Sequence, residues 1–250
     1  MSNNEIEINR VPQEKRITVS QEGVKIRREG KPLSSEKQSI KADIIFIIDT
    51  TGSMDNEIEG LMKTCQEFAQ AVTKRNIDHR MGIIGFGDLT ISPSDKMTRF
   101  PLTKNASEVS YGFEKILNNY RTSGGDNVGE SSIDALWTAV DGFEFRQEAI
   151  KVFLLFTDEP PLEPDTKQRT MNYTIQKFKQ HQILCFCITK PDDRFKRLAN
   201  ETGASWFAIS HDVNFLSILD QLFTKVVEKV EEIALKLPTR STKPTIENGR

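Results

Sequence analysis

The chain has 250 residues, enough for one large domain with extensions or two small ones; 37% are hydrophobic and 28% charged, and the formal net charge is -2, which gives no electrostatic reason for nucleic acid or an anionic membrane as the main partner. No apolar segment follows Met1, and the apolar runs fall far short of membrane-spanning length. Three cysteines are too few and too odd in number for a disulfide framework, so we expect buried free thiols and a reducing, cytoplasmic setting.

Residues 1–40 are polar and charged. Arg16–Ser20 and Val24–Arg28 alternate around Gln21-Glu22-Gly23, a pattern that fits a small exposed hairpin and a disordered leader equally well. From residue 41 to about 237, strand and helix signals alternate. Ile44-Ile45-Phe46-Ile47-Ile48 reads as a strand buried on both faces. Asp49 ends that run, Gly52 breaks it, and Ile58, Leu61, Met62, Cys65, Phe68, Ala69 and Val72 then recur at helical spacing. Ser53 is expected to cap this helix.

Met81–Gly87 reads as a second buried strand, whose glycines suggest a closely packed helix. Asp88 follows it and reads more readily as a solvated turn residue than as part of a site. Met97–Leu102 fits an edge strand, since Pro101 argues against a central place. Val109–Tyr120 is helical by spacing, and Ser123–Glu130 is a loop by composition. After a short helix, Ile150–Thr157 forms the most apolar strand and ends in Asp158-Glu159-Pro160-Pro161. A helix around Lys167–Gln180, a strand at Ile183–Ile188, a short helix and a strand at Ser205–Ile209 follow. Cys185 and Cys187 should point to one side of their strand. A long amphipathic helix from Asn214 to about Leu235 should belong to the domain, because its apolar face would otherwise be exposed. Residues 238–250 are expected to be a disordered tail.

Strands separated by helices imply an α/β fold with a doubly wound, mostly parallel sheet covered on both faces. In such sheets ligands bind beyond the carboxyl ends of the strands. Asp49, Thr51 and Ser53 together offer one carboxylate and two hydroxyls, a hard oxygen set suited to Mg²⁺ or Mn²⁺. If the Asp49 and Asp158 strands are neighbours, the two carboxylates repel unless a proton or cation sits between them.

Asp49-Thr50-Thr51-Gly52-Ser53 resembles the D-x-[ST]-x-S motif of the von Willebrand factor A-type domain, the core of its metal-ion-dependent adhesion site. Gly124-Gly125-Asp126-Asn127-Val128-Gly129-Glu130 is similar to the G-G-D-x-P-E element of alpha-kinase-type and bacterial members, with one residue more and no Pro. Thr157-Asp158-Glu159-Pro160-Pro161-Leu162 resembles their T-D-x-P-P-H element, with Leu162 where the His would be. The resemblance covers roughly residues 41–235 and implies about six strands with the metal site at the sheet's C-terminal edge. It implies metal ligands at Asp49, Thr51, Ser53, Glu130 and Asp158, with Asp126 and Glu159 around them facing a partner; Asp88, which ends a strand at the same edge, is the further candidate for partner contact. Glu130 is either an internal surrogate ligand or a cap for the helix starting near Ser131.

The expected function is that of a metal-dependent protein-binding module, in signalling or stress response, whose partner offers an acidic residue. By resemblance that partner is a kinase, phosphatase or AAA-type ATPase. A hydrolase is the alternative, but phosphatases of the haloacid dehalogenase type need a second Asp where Thr51 stands, and no Gly-x-x-x-x-Gly-Lys loop occurs. A metal-free scaffold is the third reading.

Overall fold

A computed structural model describes residues 6–7, 16–20, 23–27, 39–91, 97–119, 122, 129–210 and 214–236. It divides into two compact units, residues 1–38 and 39–250. The first holds a three-stranded antiparallel sheet of β1 (Ile6–Glu7), β2 (Arg16–Ser20) and β3 (Gly23–Arg27), with Val19 opposite Val24. The expected tail, 238–250, lies outside the described residues, as do Tyr120 and Asp126.

In the second unit the chain runs β4 (Ile40–Asp49), a single 3₁₀ turn (Gly52–Met54), α1 (Asp55–Lys74), β5 (Ile77–Phe86), β6 (Thr98–Thr103) and α2 (Ala106–Asn119). It continues through α3 (Ser132–Gly142), β7 (Ile150–Thr157), α4 (Met171–Gln180), β8 (Ile183–Thr189), α5 (Asp193–Glu201), β9 (Trp206–Ala208) and α6 (Phe215–Lys236). The six strands stand in the order β6-β5-β4-β7-β8-β9, parallel throughout except β6, which pairs antiparallel at the edge. Chain order runs outward in one direction from β4 and in the other from β7. The topological switch point therefore falls between these two strands, where an open α/β sheet leaves a crevice at its carboxyl edge.

Alternation along β4 explains why both faces need a layer of helices. Ala42, Ile44, Phe46 and Ile48 enter one core with α1, α2 and α6, while Ile45 and Ile47 enter a second with α3, α4 and α5. Phe46 meets Phe113 edge-on at 5.4 Å and Phe68 edge-on at 6.4 Å, and Phe223 of α6 stacks on Phe68 at 4.1 Å. Ile218, Leu219, Leu222, Phe223, Val226, Val227 and Val230 bury the inner face of α6, so this helix is part of the domain. Cys65 lies in the first core, and Cys185 and Cys187 in the second; all three are free thiols, the latter two with Sγ atoms 4.0 Å apart.

The β5 glycines meet more than a helix. A Cβ on Gly85 would come 2.8 Å from Thr50 and 3.5 Å from Ile116 of α2, whereas Gly82 faces Phe143 and Phe100 and Gly87 faces Thr122. Thr50 is pinned in return, donating through its N–H and Oγ1 to the Phe86 carbonyl at 2.7 and 2.9 Å. These contacts draw the loop after β4 down onto the end of β5.

Candidate functional site

Register places the site. Ile48 pairs with Phe156, and Thr157 with Thr189, so Asp49, Asp158 and Lys190 follow one another across the carboxyl ends of β4, β7 and β8. Asp49 is fully buried. Its Oδ1 accepts from the Thr51 N–H at 3.0 Å and the Thr51 hydroxyl at 2.7 Å, and its Oδ2 accepts from Thr157 Oγ1 at 2.8 Å. Thr51 Oγ1 lies 3.2 Å from Ser53 Oγ, which donates to Asp158 Oδ1 at 3.0 Å. Asp158 Oδ2 accepts from Lys190 Nζ at 3.1 Å. Carboxylate, hydroxyl, hydroxyl and carboxylate thus form one row of oxygens across the switch point, in which Thr51 and Ser53 each spend their single proton on a carboxylate and meet each other only in contact.

Ser53 does not cap α1: neither the 3₁₀ turn nor α1 has a side-chain cap bond, and the Ser53 hydroxyl is committed to Asp158. The tight turn lifts Ser53 out of the capping position and into the row of oxygens.

Glu130 arrives from a different direction. Its backbone bridges in parallel to Pro161, its N–H donates to the Pro160 carbonyl at 2.9 Å, and its carbonyl accepts from Leu162 N–H at 2.9 Å. Gly129 makes this approach at φ +123°, with Leu162 and the Pro160 carbonyl 3.0 and 3.2 Å from where a Cβ would sit. On the other side Ser131 N–H donates to the Gly87 carbonyl at 3.2 Å, and Ser131 Oγ accepts from Leu89 N–H at 3.0 Å. The Glu130 side chain is only 3% exposed, and its Oε2 has no hydrogen-bond partner. Asp88, expected as a solvated turn residue, is fully buried; Thr90 donates to its Oδ1 through N–H at 2.8 Å and Oγ1 at 2.6 Å, while Oδ2 has no partner. Glu159 stays at the rim, 3.7 Å from Lys190.

Electrostatics follow from the burial. Burial pushes the Asp49 carboxyl up to about 6; hydrogen bonds from Thr51 and Thr157 restrain the rise, and the charge of Asp158 adds to it. Glu130 is pushed up to about 8, first by burial and then by the charges of Asp49, Asp88, Glu159 and Asp158. Burial alone would lower Lys190, but its bond to Asp158 and the charges of Asp158 and Glu159 outweigh it, so the ammonium is held above its ordinary value.

The sequence model of the von Willebrand factor A domain matches residues 43–214. The chain belongs to that family. No curated protein was found to match it. The von Willebrand factor A match spans β4 through β9 and every described site residue, and ends just before α6, which nevertheless packs into the first core.

Asp49, Thr51, Ser53 and Asp158 are thus joined directly, Glu130 and Asp88 lie buried beside them, and Asp126 is outside the described residues. Thr157 and Lys190 have no role in a reading of the sequence alone. Thr157 stands in a recognisable motif, and the signal for Lys190 is its place at the C-terminal end of β8, one strand beyond Asp158. Among the described residues, no three His, Cys, Asp or Glu side chains form a metal-binding group.

Proposed function

We propose that this domain is a protein-interaction module that binds its partner through a divalent cation at the switch-point edge. The observation that carries this reading is the unbroken row Asp49–Thr51–Ser53–Asp158, closed on one side by the buried, unpartnered Oε2 of Glu130. A buried polar atom without a partner costs about 1–3 kcal/mol. A cation relieves that cost and the repulsion among the carboxylates together. All the oxygens are hard, which favours Mg²⁺ or Mn²⁺. Asp49, Thr51, Ser53 and Asp158 would hold the ion, directly or through water. When bound, it would supply a Lewis-acidic position for a partner's carboxylate.

Both oxygens of Asp49 accept hydrogen bonds from neighbouring threonines, which suits a fixed ligand better than a free nucleophile and supports binding over hydrolysis. The buried free thiols support a cytoplasmic place. Among the described residues no helix is long and apolar enough to cross a membrane. The partner is a protein presenting an acidic residue; by the alpha-kinase and bacterial resemblance it is a kinase, phosphatase or AAA-type ATPase in signalling or stress response.

The second reading is a metal-free scaffold, favoured by Lys190, which already offers Asp158 a positive charge from within the chain. One measurement separates the two. A ligand bound only by the native state at a hundredfold excess over its dissociation constant stabilises by about 2.7 kcal/mol. Millimolar Mn²⁺ or Mg²⁺ is therefore expected to raise the melting temperature of the wild-type chain but not of Asp49→Ala. An unchanged wild-type melting temperature sinks the metal reading and leaves the scaffold.

A further inference from the structure

Asp158 has two oxygens and two donors. Ser53 Oγ occupies Oδ1 at 3.0 Å, and Lys190 Nζ occupies Oδ2 at 3.1 Å. Strand register forces the second contact: Thr189 pairs with Thr157, so the next residues, Lys190 and Asp158, emerge side by side. The base of Lys190 is fixed, because the Thr189 carbonyl accepts from Ile209 N–H at 2.9 Å and the Thr189 hydroxyl from Trp206 Nε1 at 3.0 Å. Its side chain is 49% exposed, so water can take the place of Asp158 around the ammonium. Glu159 offers the ammonium a second position at 3.7 Å.

We propose that Lys190 is a tethered cation that competes with the divalent ion for Asp158 and so sets the metal concentration at which the site fills. This rests on the metal-binding reading above. An ammonium and a divalent cation held on one carboxylate repel each other, by an amount that solvent reduces. Arrival of the ion therefore drives Lys190 off Asp158, onto Glu159 or into solvent. Lys190 is a positioning residue in this scheme: it acts on the ion through Asp158.

The test is a Mn²⁺ titration of the full-length chain by calorimetry. Wild type, Lys190→Met, Lys190→Arg and Lys41→Met are compared, the last removing one positive charge at the far end of β4. An ion pair half open to solvent is worth little, so Lys190→Met is expected to bind Mn²⁺ about two- to fivefold more tightly. Lys190→Arg, which keeps the charge, should bind like wild type, and so should Lys41→Met. The gain should shrink in high salt. Equal or weaker binding by Lys190→Met overturns the competition while leaving the metal site intact. An equal gain in Lys41→Met also overturns it, since that is the effect of net charge alone. No Mn²⁺ binding by any variant overturns the metal reading and this inference with it.

Discussion

The two ends of β4 carry the same buried group in opposite circumstances. Asp43 and Asp49 are both fully buried, six residues apart and so on the same face of one strand. At the N-terminal end two guanidiniums close on Asp43: Arg80 through Nε and Nη2 at 3.0 and 2.7 Å, and Arg146 through Nε at 3.0 Å and its N–H at 2.8 Å. Burial pushes the Asp43 carboxyl up, but Arg80 and Arg146 more than reverse this and hold it below its ordinary value. At the C-terminal end Asp49 meets hydroxyls and an amide, and its carboxyl rises to about 6. One end has two guanidiniums built around its carboxylate; at the other, Lys190 sits on Asp158 and leaves Asp49 to hydroxyls and an amide. A buried carboxylate with its own arginines is architecture, and one without them is a candidate for chemistry.

The comparison breaks most severely at Arg146. Removing one partner of a buried ion pair leaves a charge uncompensated, at a cost of about 3–5 kcal/mol. Arg146→Ala leaves Arg80 on Asp43 but also severs bonds to the carbonyls of Ala42 and Asp78, so chemical denaturation should place it near the lower end of that range. A loss under 1 kcal/mol would mean the N-terminal edge is not held this way.

The pH dependence should differ in sign between the two ends. Asp49 and Glu130 have raised carboxyl values, so their favourable contribution is complete below the unfolded values near 3.8 and 4.5 and is lost as pH rises through about 6 and about 8. In chelator, wild-type stability should fall by about 2–4 kcal/mol between pH 5 and pH 8. Asp43 has a lowered value, so its contribution is present above the unfolded value and disappears as pH falls through the folded one. Stability that climbs from pH 5 to pH 8 without metal would contradict the assignment of buried, unpaired acids to the C-terminal edge.

Neutral replacements sharpen the contrast further. Asp49→Asn at pH 8 in chelator should gain about 1–2 kcal/mol by removing a buried charge, while the Mn²⁺ shift vanishes. Asp43→Asn should lose stability under the same conditions, since two arginines then lose the carboxylate charge and one of its two acceptor oxygens. Thermal melts of the pair suffice, and changes of the same sign in both would erase the distinction. The smallest effect is expected at Glu130. If it is a surrogate ligand, Glu130→Thr weakens Mn²⁺ binding a few-fold yet improves capture of an acidic peptide at saturating metal. Equal metal affinity would return Glu130 to a purely local role.

Much of this was legible in the amino-acid order. β4 and β7 announce themselves because burial on both faces demands unbroken apolar runs, and the helices because a one-sided core demands a 3.6-residue period. Asp49, Thr51, Ser53 and Asp158 were legible because motif spacing fixes them to strand ends. Contacts that depend on register between distant segments were not. Lys190 meets Asp158 only because β8 lies beside β7 with Thr189 at Thr157. Asp88 is buried because Glu130 and Ser131 fold back over the end of β5. Likewise Asp134, which looks like any helix-start acid, clamps Thr166 through Oδ1 at 2.5 Å and Oδ2 at 3.1 Å and so holds the segment after Pro161.

The three thiols give the domain a use its metal edge does not suggest. Cys65 is sealed on the buried face of α1, and Cys185 and Cys187 under the helices of the opposite layer. A thiol enclosed this way reacts only when its own layer opens, so its alkylation rate reports that opening. Peptide mass spectrometry after timed labelling would read the two layers as separate clocks within one molecule. Added Mn²⁺ or a bound partner would then reveal, without any introduced probe, which layer it slows.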